Sequence, residues 1–328
     1  LALFGYNPVK YQVGRGVLAA LGIGFDLRHG DVAARGNFCT IDENGKVTDR
    51  RAGRISNDTN RALVSLLRNI RIPGVEIFVE TVKEHRFLLV FRGKNLCGSI
   101  EDTDPQETGK PPLKAIAKTK QAEHTAELVN QFLEQAGKVL KDKHPANMAL
   151  MRGFAERPDW PTFDTAFGLK AGAIAAYPMY RGVAKLVGME VVDTGGEIED
   201  EFETLKNCWN DYDFFFLHVK PTDSSGEDGD FDRKVSVVEQ VDKQIPALLD
   251  LNPDVVVVTG DHSTPSVLKS HGWQPVPALL HSAVCRPDNV SSFGERSCIT
   301  GGLGPNFPAE NLLPLALANA LRLEKFGA

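Results

Sequence analysis

Residues 254–263 read DVVVVTGDHS. A run of β-branched residues leads into Gly260, and then Asp261 and His262 stand side by side. A strand that is apolar on both faces is a strand covered on both faces, which is the habit of parallel sheets in α/β proteins. Ligands of such sheets gather at the carboxyl ends of the strands, and a carboxylate and an imidazole fall there. A second apolar strand, DFFFLHVK over 213–220, runs into PTDSSGEDGDFD, which places Asp223, Glu227 and Asp228 on a loop before a helix expected over 229–250. His271 follows in SHGWQPVP, ahead of a further strand candidate. Carboxylate oxygens and imidazole nitrogens suit Mn, Zn or Mg, with His favouring the transition metals. Asp223, Glu227, Asp261, His262 and His271 are therefore candidate ligands, enough for two ions. Paired divalent ions activate an oxygen nucleophile and neutralise a phosphoryl group. Singly, each has an ordinary reading: a helix cap, a solvated loop, a structural histidine. Their joint placement at two strand ends is what favours a metal centre.

The surrounding pattern repeats the same alternation. AGAIAAYP (171–178), MEVVDT (189–194) and PVPALLHS (275–282) read as strands, and MYRGVAKLVG (179–188) as a helix. Strands alternating with helices predict a mostly parallel sheet covered on both sides. The first half reads differently. Residues 13–27 are a Gly-punctuated short helix leading toward a strand, and 31–55 a hairpin in which FCTI and KVTD flank a DENG turn. NDTNRALVSLLRNI (57–70) is a helix capped by Asn57 or Asp58. EIFVETV and FLLVFRG are strands joined around Lys83, Glu84 and His85, residues 98–112 are a polar loop, and 121–143 a long amphipathic helix. Hairpins and helices of this kind make an α+β unit. The expected fold is therefore α/β: a sheet-and-helix core over 1–27 and 147–328, with an α+β domain inserted over 28–146.

The bulk numbers narrow the function. The chain has 328 residues, 42% hydrophobic and 24% charged, with net charge −6, so no general affinity for nucleic acid is expected. The apolar runs fall well short of the roughly 20 residues that span a membrane. Five cysteines without a CxxC spacing read as reduced thiols, which fits a cytoplasmic protein. At the front, LALFGYNP reads as the last turn of a helix stopped by Gly5, Asn7 and Pro8.

TDSSGEDGDFDRKV, VVVVTGDHSTPSVLKSHGWQPVPALL and FGERSCITGGLG resemble the archaeal-type 2,3-bisphosphoglycerate-independent phosphoglycerate mutases of the alkaline phosphatase superfamily. LFGYNPVKYQVGRGVLAALGIG, DVAARGNF, DRRAGRI, FRGKNLCGSIEDTDP and GLKAGAIAAYPMYRGVAKLVGM carry the same resemblance in the same order. It implies an alkaline-phosphatase-like core with two divalent metal ions (Mn, Zn, Mg or Co), an inserted substrate lid, and glycolytic interconversion of 3- and 2-phosphoglycerate through a phosphoserine. By motif, Asp261 and His262 would hold one ion, Asp223 and His271 the other. Glu227 stands where the family usually has His, adding negative charge and favouring harder cations. The resemblance also implies a metal-binding Asp and the Ser nucleophile upstream of LALFGYNP. The expectation on that count is a truncated, inactive form, with sheet edges that admit a homo-oligomer.

A phosphoglycerate offers a phosphate and a carboxylate, both partners for Arg forks. The candidates are Arg35, Arg51, Arg54, Arg86, Arg92, Arg152 and Lys170, with Arg50 beside them, and Arg35 and Arg152 foremost because of their apolar or Gly-flanked settings. His85 is the candidate for proton transfer to the glycerate oxygens, while His124 is expected to face solvent. A hydrolase on the same core, or a non-catalytic metal- or metabolite-binding remnant, are the competing functions.

Overall fold

A computed structural model of the chain describes residues 1–323. It separates into two units, one of Val13–Thr162 with Pro178–Val187, the other of Leu1–Gln12, Phe163–Tyr177 and Gly188–Ala328. The boundaries differ from the expected 28 and 146. The segment 13–27, the strand after 147 and the helix after Pro178 all belong with the α+β unit. The reason is packing: the segment 13–27 lies on the sheet of that unit, the strand after 147 pairs within it, and the helix after Pro178 packs on the helix of the 13–27 segment.

That first unit is built on an antiparallel sheet of β1 (Val32–Ile41), β2 (Val47–Asp49), β3 (Glu76–Lys83), β4 (Arg86–Arg92) and β5 (Met148–Ala155), in the order β2-β1-β4-β3 with β5 also on β1. Strand β1 is buried along nearly all its length, as a central strand covered on both faces must be. On one face, Val32, Ala34, Phe38, Phe87, Leu89, Phe91, Ala149 and Met151 pack against α2 (Asn57–Leu67) and α3 (Glu123–Leu140). The Leu/Val stripe of α2 and the Val129–Phe132–Leu133–Ala136 stripe of α3 supply the other side of this core. Ser56, not Asn57 or Asp58, caps α2, its side chain accepting the Thr59 N–H.

The opposite face carries two smaller apolar clusters. Ala33, Leu88 and Val90 lie under α1 (Arg15–Gly22), which packs on the helix Pro178–Leu186, while Cys39, Val47 and Leu150 form a small cluster at the far end. Gly16 lets α1 approach β1: a Cβ there would stand 2.2 Å from the Ala33 carbonyl oxygen. Backbone cannot yield as a side chain does, so Gly16→Ala is expected to destabilise the unit by about 3 kcal/mol, more than the roughly 1 kcal/mol that Ala contributes by helix propensity. A fall in urea midpoint at unchanged m-value would report it; a neutral result would mean that α1 shifts freely on the sheet.

The second unit carries α4 (Phe163–Phe167) and three parallel strands, β6 (Ala171–Ala175), β7 (Glu190–Val192) and β8 (Phe214–His218), in the order β7-β6-β8. The helix Pro178–Leu186, α5 in chain order, follows β6. α6 (Ile198–Asn207) enters through a capping box of Glu197 and Asp200 and packs with α8 (Phe231–Leu249) through Ile198, Phe202 and Val237. β9 (Val255–Thr259) pairs antiparallel with β10 (Ala278–Ser282). The described strands thus form a parallel β6–β8 sheet and a separate β9–β10 pair, so the two strand ends singled out from sequence are not neighbours in one hydrogen-bonded ladder. PTDSSGED is also not a loop. Pro221 sits in the first turn of a helix, α7 (Pro221–Asp228), that ends at Gly229 with φ 77°, the left-handed conformation that glycine adopts without penalty. α4, α6 and the two later helices described, α9 (Glu295–Cys298) and α10 (Leu312–Asn319), were not among the elements expected from sequence.

Candidate metal centre

Although β8 and β9 do not pair, the groups beyond their ends meet. Asp223, His262 and His271 each offer a donor atom within 4.8 Å of the others. Asp223 Oδ1 lies 3.9 Å from His262 Nδ1 and 3.5 Å from His271 Nε2. The two imidazoles stack with centroids 3.9 Å apart. Asp261 Oδ2 is 3.5 Å from His262 Nε2, and Glu227 Oε1 is 3.9 Å from His271 Nε2. Asp261 and Glu227 therefore flank the cluster of three, one beside each imidazole. The helix and the loop, not a ladder, bring the groups together. Asp223 rides the first turn of α7, and the segment from His262 to His271 closes on itself through the Ser263–Gly272 bridge.

Asp223 is well screened, with its side chain 11% exposed. Burial alone would raise its pKa, but an ion pair with Lys220 and a hydrogen bond from Thr264 outweigh it and hold the carboxyl below its ordinary value. The Lys220 ammonium also lies over the Tyr177 ring. His218, at the end of β8, is pushed down to about 4, by burial first, against the pull of Asp261 and with Lys220 adding to the fall. Mixed oxygen and imidazole donors converging on one point fit a divalent transition ion.

The first unit carries a second group of candidate residues on the face of its sheet that bears α1. Register places Arg35 of β1 opposite Arg152 of β5 and Leu88 of β4, and Asn37 opposite Arg86. Residues so paired project from the same face. Between the α1 cluster and the Cys39 cluster the sheet thus carries a strip of cationic side chains where apolar ones would be the rule. Asp104, fully buried, takes a bidentate hydrogen bond from Arg50 at 2.9 and 2.7 Å and stands 3.6 Å from Arg152. Asp102 is also 3.6 Å from Arg152, and its Oδ1 accepts the Gly153 N–H.

His85 is not an exposed turn histidine. It is 1% exposed and its pKa falls to about 3, through burial first and then the charges of Arg86, Arg51, Arg35 and Arg54. Helix α2 clamps the turn that carries it: Asn60 Nδ2 donates to the Glu84 and Arg86 carbonyls, and Asn57 Oδ1 accepts the Glu84 N–H. His85 Nδ1 and Asn37 Oδ1 are buried without a hydrogen bond. Such orphaned atoms are costly and mark where a polar ligand would be satisfied. His85 binds a proton more readily unfolded than folded, so stability is full above about 6.5 and is lost as pH falls toward 3. The slope is at most about 1.4 kcal/mol per pH unit. Urea titrations from neutral to acid pH should show it, and His85→Phe should flatten it; an unchanged slope in that variant would assign the loss to other groups.

Two of the sequence candidates stand apart. Arg92 is bound at 2.9 and 2.7 Å to Asp31 and lies over Phe78, at the opposite end of β4 from His85. Lys170 belongs to the other unit, exposed and over the Tyr212 ring. Arg51 and Arg54 are exposed, and they act on His85 through their charge. His124 is exposed, as expected. Lys220, Thr264, Asn37, Asn60 and Asp104 were not among the sequence candidates. Lys220 and Thr264 stood within or beside the motifs that carry the candidate ligands, and adjacency was the available signal.

Residues 1–147 match the family model of the 2,3-bisphosphoglycerate-independent phosphoglycerate mutases, and residues 98–312 that of the metalloenzyme superfamily. A protein of Aquifex aeolicus named probable 2,3-bisphosphoglycerate-independent phosphoglycerate mutase is 49% identical over 338 residues, covering 100% of this chain and 83% of that protein. This chain belongs to the 2,3-bisphosphoglycerate-independent phosphoglycerate mutases. By family it is an isomerase. Among solved structures, a protein of Pyrococcus horikoshii superposes with a TM-score of 0.83 at 28% identity, over 100% of this chain and 84% of that one. The cofactor-independent phosphoglycerate mutase of Thermoplasma acidophilum does so with a TM-score of 0.69 at 30% identity, over 97% and 84%. Among the described residues, no helix is long and apolar enough to cross a membrane.

Proposed function

We propose that the protein interconverts 3-phosphoglycerate and 2-phosphoglycerate with two divalent ions, manganese foremost. The observation that carries this reading is the convergence of Asp223, His262 and His271 within 4.8 Å. Asp261 and Glu227 beside the two imidazoles allow two poles, one around Asp261 and His262, the other around Asp223, His271 and Glu227. Bound there, divalent ions supply neutralising charge for phosphoryl oxygens and an activated oxygen nucleophile. The Lys220 ammonium holds Asp223 in place and adds positive charge at the same edge.

The acid itself is a matter for the arginine-bearing unit. Arg35, Arg86 and Arg152 form the cationic strip, and Asp104 orients Arg50 and Arg152. Arg51 and Arg54 add to the field around His85. A guanidinium fork recognises phosphate or carboxylate by paired N–H donors. His85 is neutral at physiological pH, and Nδ1 is its open atom. An anion lodged among the arginines would offset the charges that depress the imidazole, so His85 gains basicity when substrate is present and can take or return a glycerate hydroxyl proton at Nδ1. By the family resemblance, a serine carries the phosphoryl group between the two oxygens. All five cysteines carry free thiols, which supports a cytoplasmic setting.

The test is to incubate the full-length protein with 3-phosphoglycerate and Mn²⁺ and follow phosphorus NMR. Formation of 2-phosphoglycerate is the expected result. Release of inorganic phosphate without 2-phosphoglycerate would replace the mutase by a hydrolase on the same core.

A further inference from the structure

Asp223 and His262 sit on different elements, yet both reach one hydroxyl. Thr264, 3% exposed, donates its Oγ1–H to Asp223 Oδ1 at 2.6 Å and stands 3.1 Å from His262 Nδ1. A hydroxyl has one proton, and an ionised carboxylate can only accept. The proton therefore points at Asp223, and the Oγ1 lone pairs face His262. The imidazole satisfies them by carrying its own proton on Nδ1. Its Nε2 is then the nitrogen with a free lone pair, and Nε2 is the atom 3.5 Å from Asp261.

The backbone of Thr264 is itself fixed. Lys234 Nζ donates to its carbonyl at 2.7 Å. Gly226 of α7 comes so near that a Cβ there would lie 2.3 Å from the same carbonyl oxygen. α7, which carries Asp223, and the loop that carries His262 are thus locked at this residue.

We infer that Thr264 is the positioning residue of the metal centre, orienting Asp223 for one pole and selecting Nε2 as the ligand atom of His262 for the other. The inference rests on the metal reading above. Partners of this kind, which orient a ligand without touching the ion, typically cost 10- to 100-fold in metal affinity when removed.

The experiment is Mn²⁺ binding by calorimetry to the full-length wild type, Thr264→Val and Thr264→Ser. Val keeps the shape and loses the hydroxyl; Ser keeps the hydroxyl. Thr264→Val is expected to bind Mn²⁺ roughly 10- to 100-fold more weakly, with Thr264→Ser close to wild type. Equal binding by wild type and Thr264→Val would overturn this inference alone, and so would a Ser variant as weak as the Val variant. A wild type that binds no Mn²⁺ would remove the metal reading and this inference with it. Nitrogen-15 NMR of the Zn²⁺-loaded wild type reads the tautomer directly, whatever the folding of the variants. A proton on His262 Nδ1 is expected; a proton on Nε2 would refute the assignment.

Discussion

Asp223→Asn is expected to weaken divalent-metal binding by at least roughly 100-fold, because even an outer partner of a ligand is worth 10- to 100-fold and Asp223 is proposed as a ligand itself. The substitution is close to isosteric, so packing is preserved and charge is the variable. Three consequences should appear together. The amide cannot offer two anionic oxygens to a cation. Lys220 loses its ion-pair partner at the same position. The Thr264 hydroxyl loses a charged acceptor and with it the preference that orients His262. Mutase activity of the full-length protein should fall with metal occupancy and recover in part at high Mn²⁺. A metal bound only by the folded state stabilises it by about 2.7 kcal/mol at 100 times its dissociation constant. The rise in melting temperature that Mn²⁺ gives the wild type should therefore be missing from Asp223→Asn. An Asn variant that binds Mn²⁺ as well as wild type would exclude Asp223 from the metal centre.

Asp104→Ala is expected to cost about 3 kcal/mol of stability, the lower end of the range for removing one member of a buried ion pair. The lower end applies because Arg50, its main partner, is 29% exposed and can turn to water, whereas the Asp104 side chain has no exposure. The net depression of the Asp104 pKa gives the sign of the effect. Burial raises it, but the Arg50 hydrogen bonds, the Gln106 N–H and the Arg152 charge prevail, so the folded state prefers the carboxylate. Arg35 and Arg152 face one another across the β1–β5 ladder, an arrangement that repels unless anions lie nearby. Removing Asp104 leaves Asp102 to compensate Arg152 by itself. A displaced urea midpoint with a normal m-value, and a raised KM for phosphoglycerate, are the expected results. A loss below about 1 kcal/mol would rank the pair with solvated surface bridges.

Much of the proposed metal centre was legible because its residues lie at positions that elementary sheet geometry singles out. Asp261 and His262 follow a run of valines, and Asp223 follows a run of phenylalanines. The strand type, the strand ends and the donor chemistry were each readable from local sequence. The arginine face was legible only as a set of residue types. Arg92 stood among the candidates behind Arg35 and Arg152, and nothing local separated it from the rest of the set. Pairing with Asp31 gives Arg92 a partner of its own, and register gives Arg35 its place beside Arg86 and Arg152. His85 was legible as a candidate for proton transfer, but its burial was not, because Asn57 and Asn60, more than 20 residues earlier, fold over its turn.

The sequence by itself determined most of the elements and the donor chemistry: parallel β-α alternation in one half, hairpins and amphipathic helices in the other, and acid and imidazole groups at strand ends. These follow from side-chain period, local propensity and donor type, which act over a few residues. Only the tertiary structure decided the boundaries of the two units, the helical seat of Asp223, the burial of His85 and the bridging hydroxyl of Thr264. Each depends on which distant surfaces come into contact. That is settled by the packing of whole faces, where the cost of burying a polar atom depends on partners that local sequence does not name.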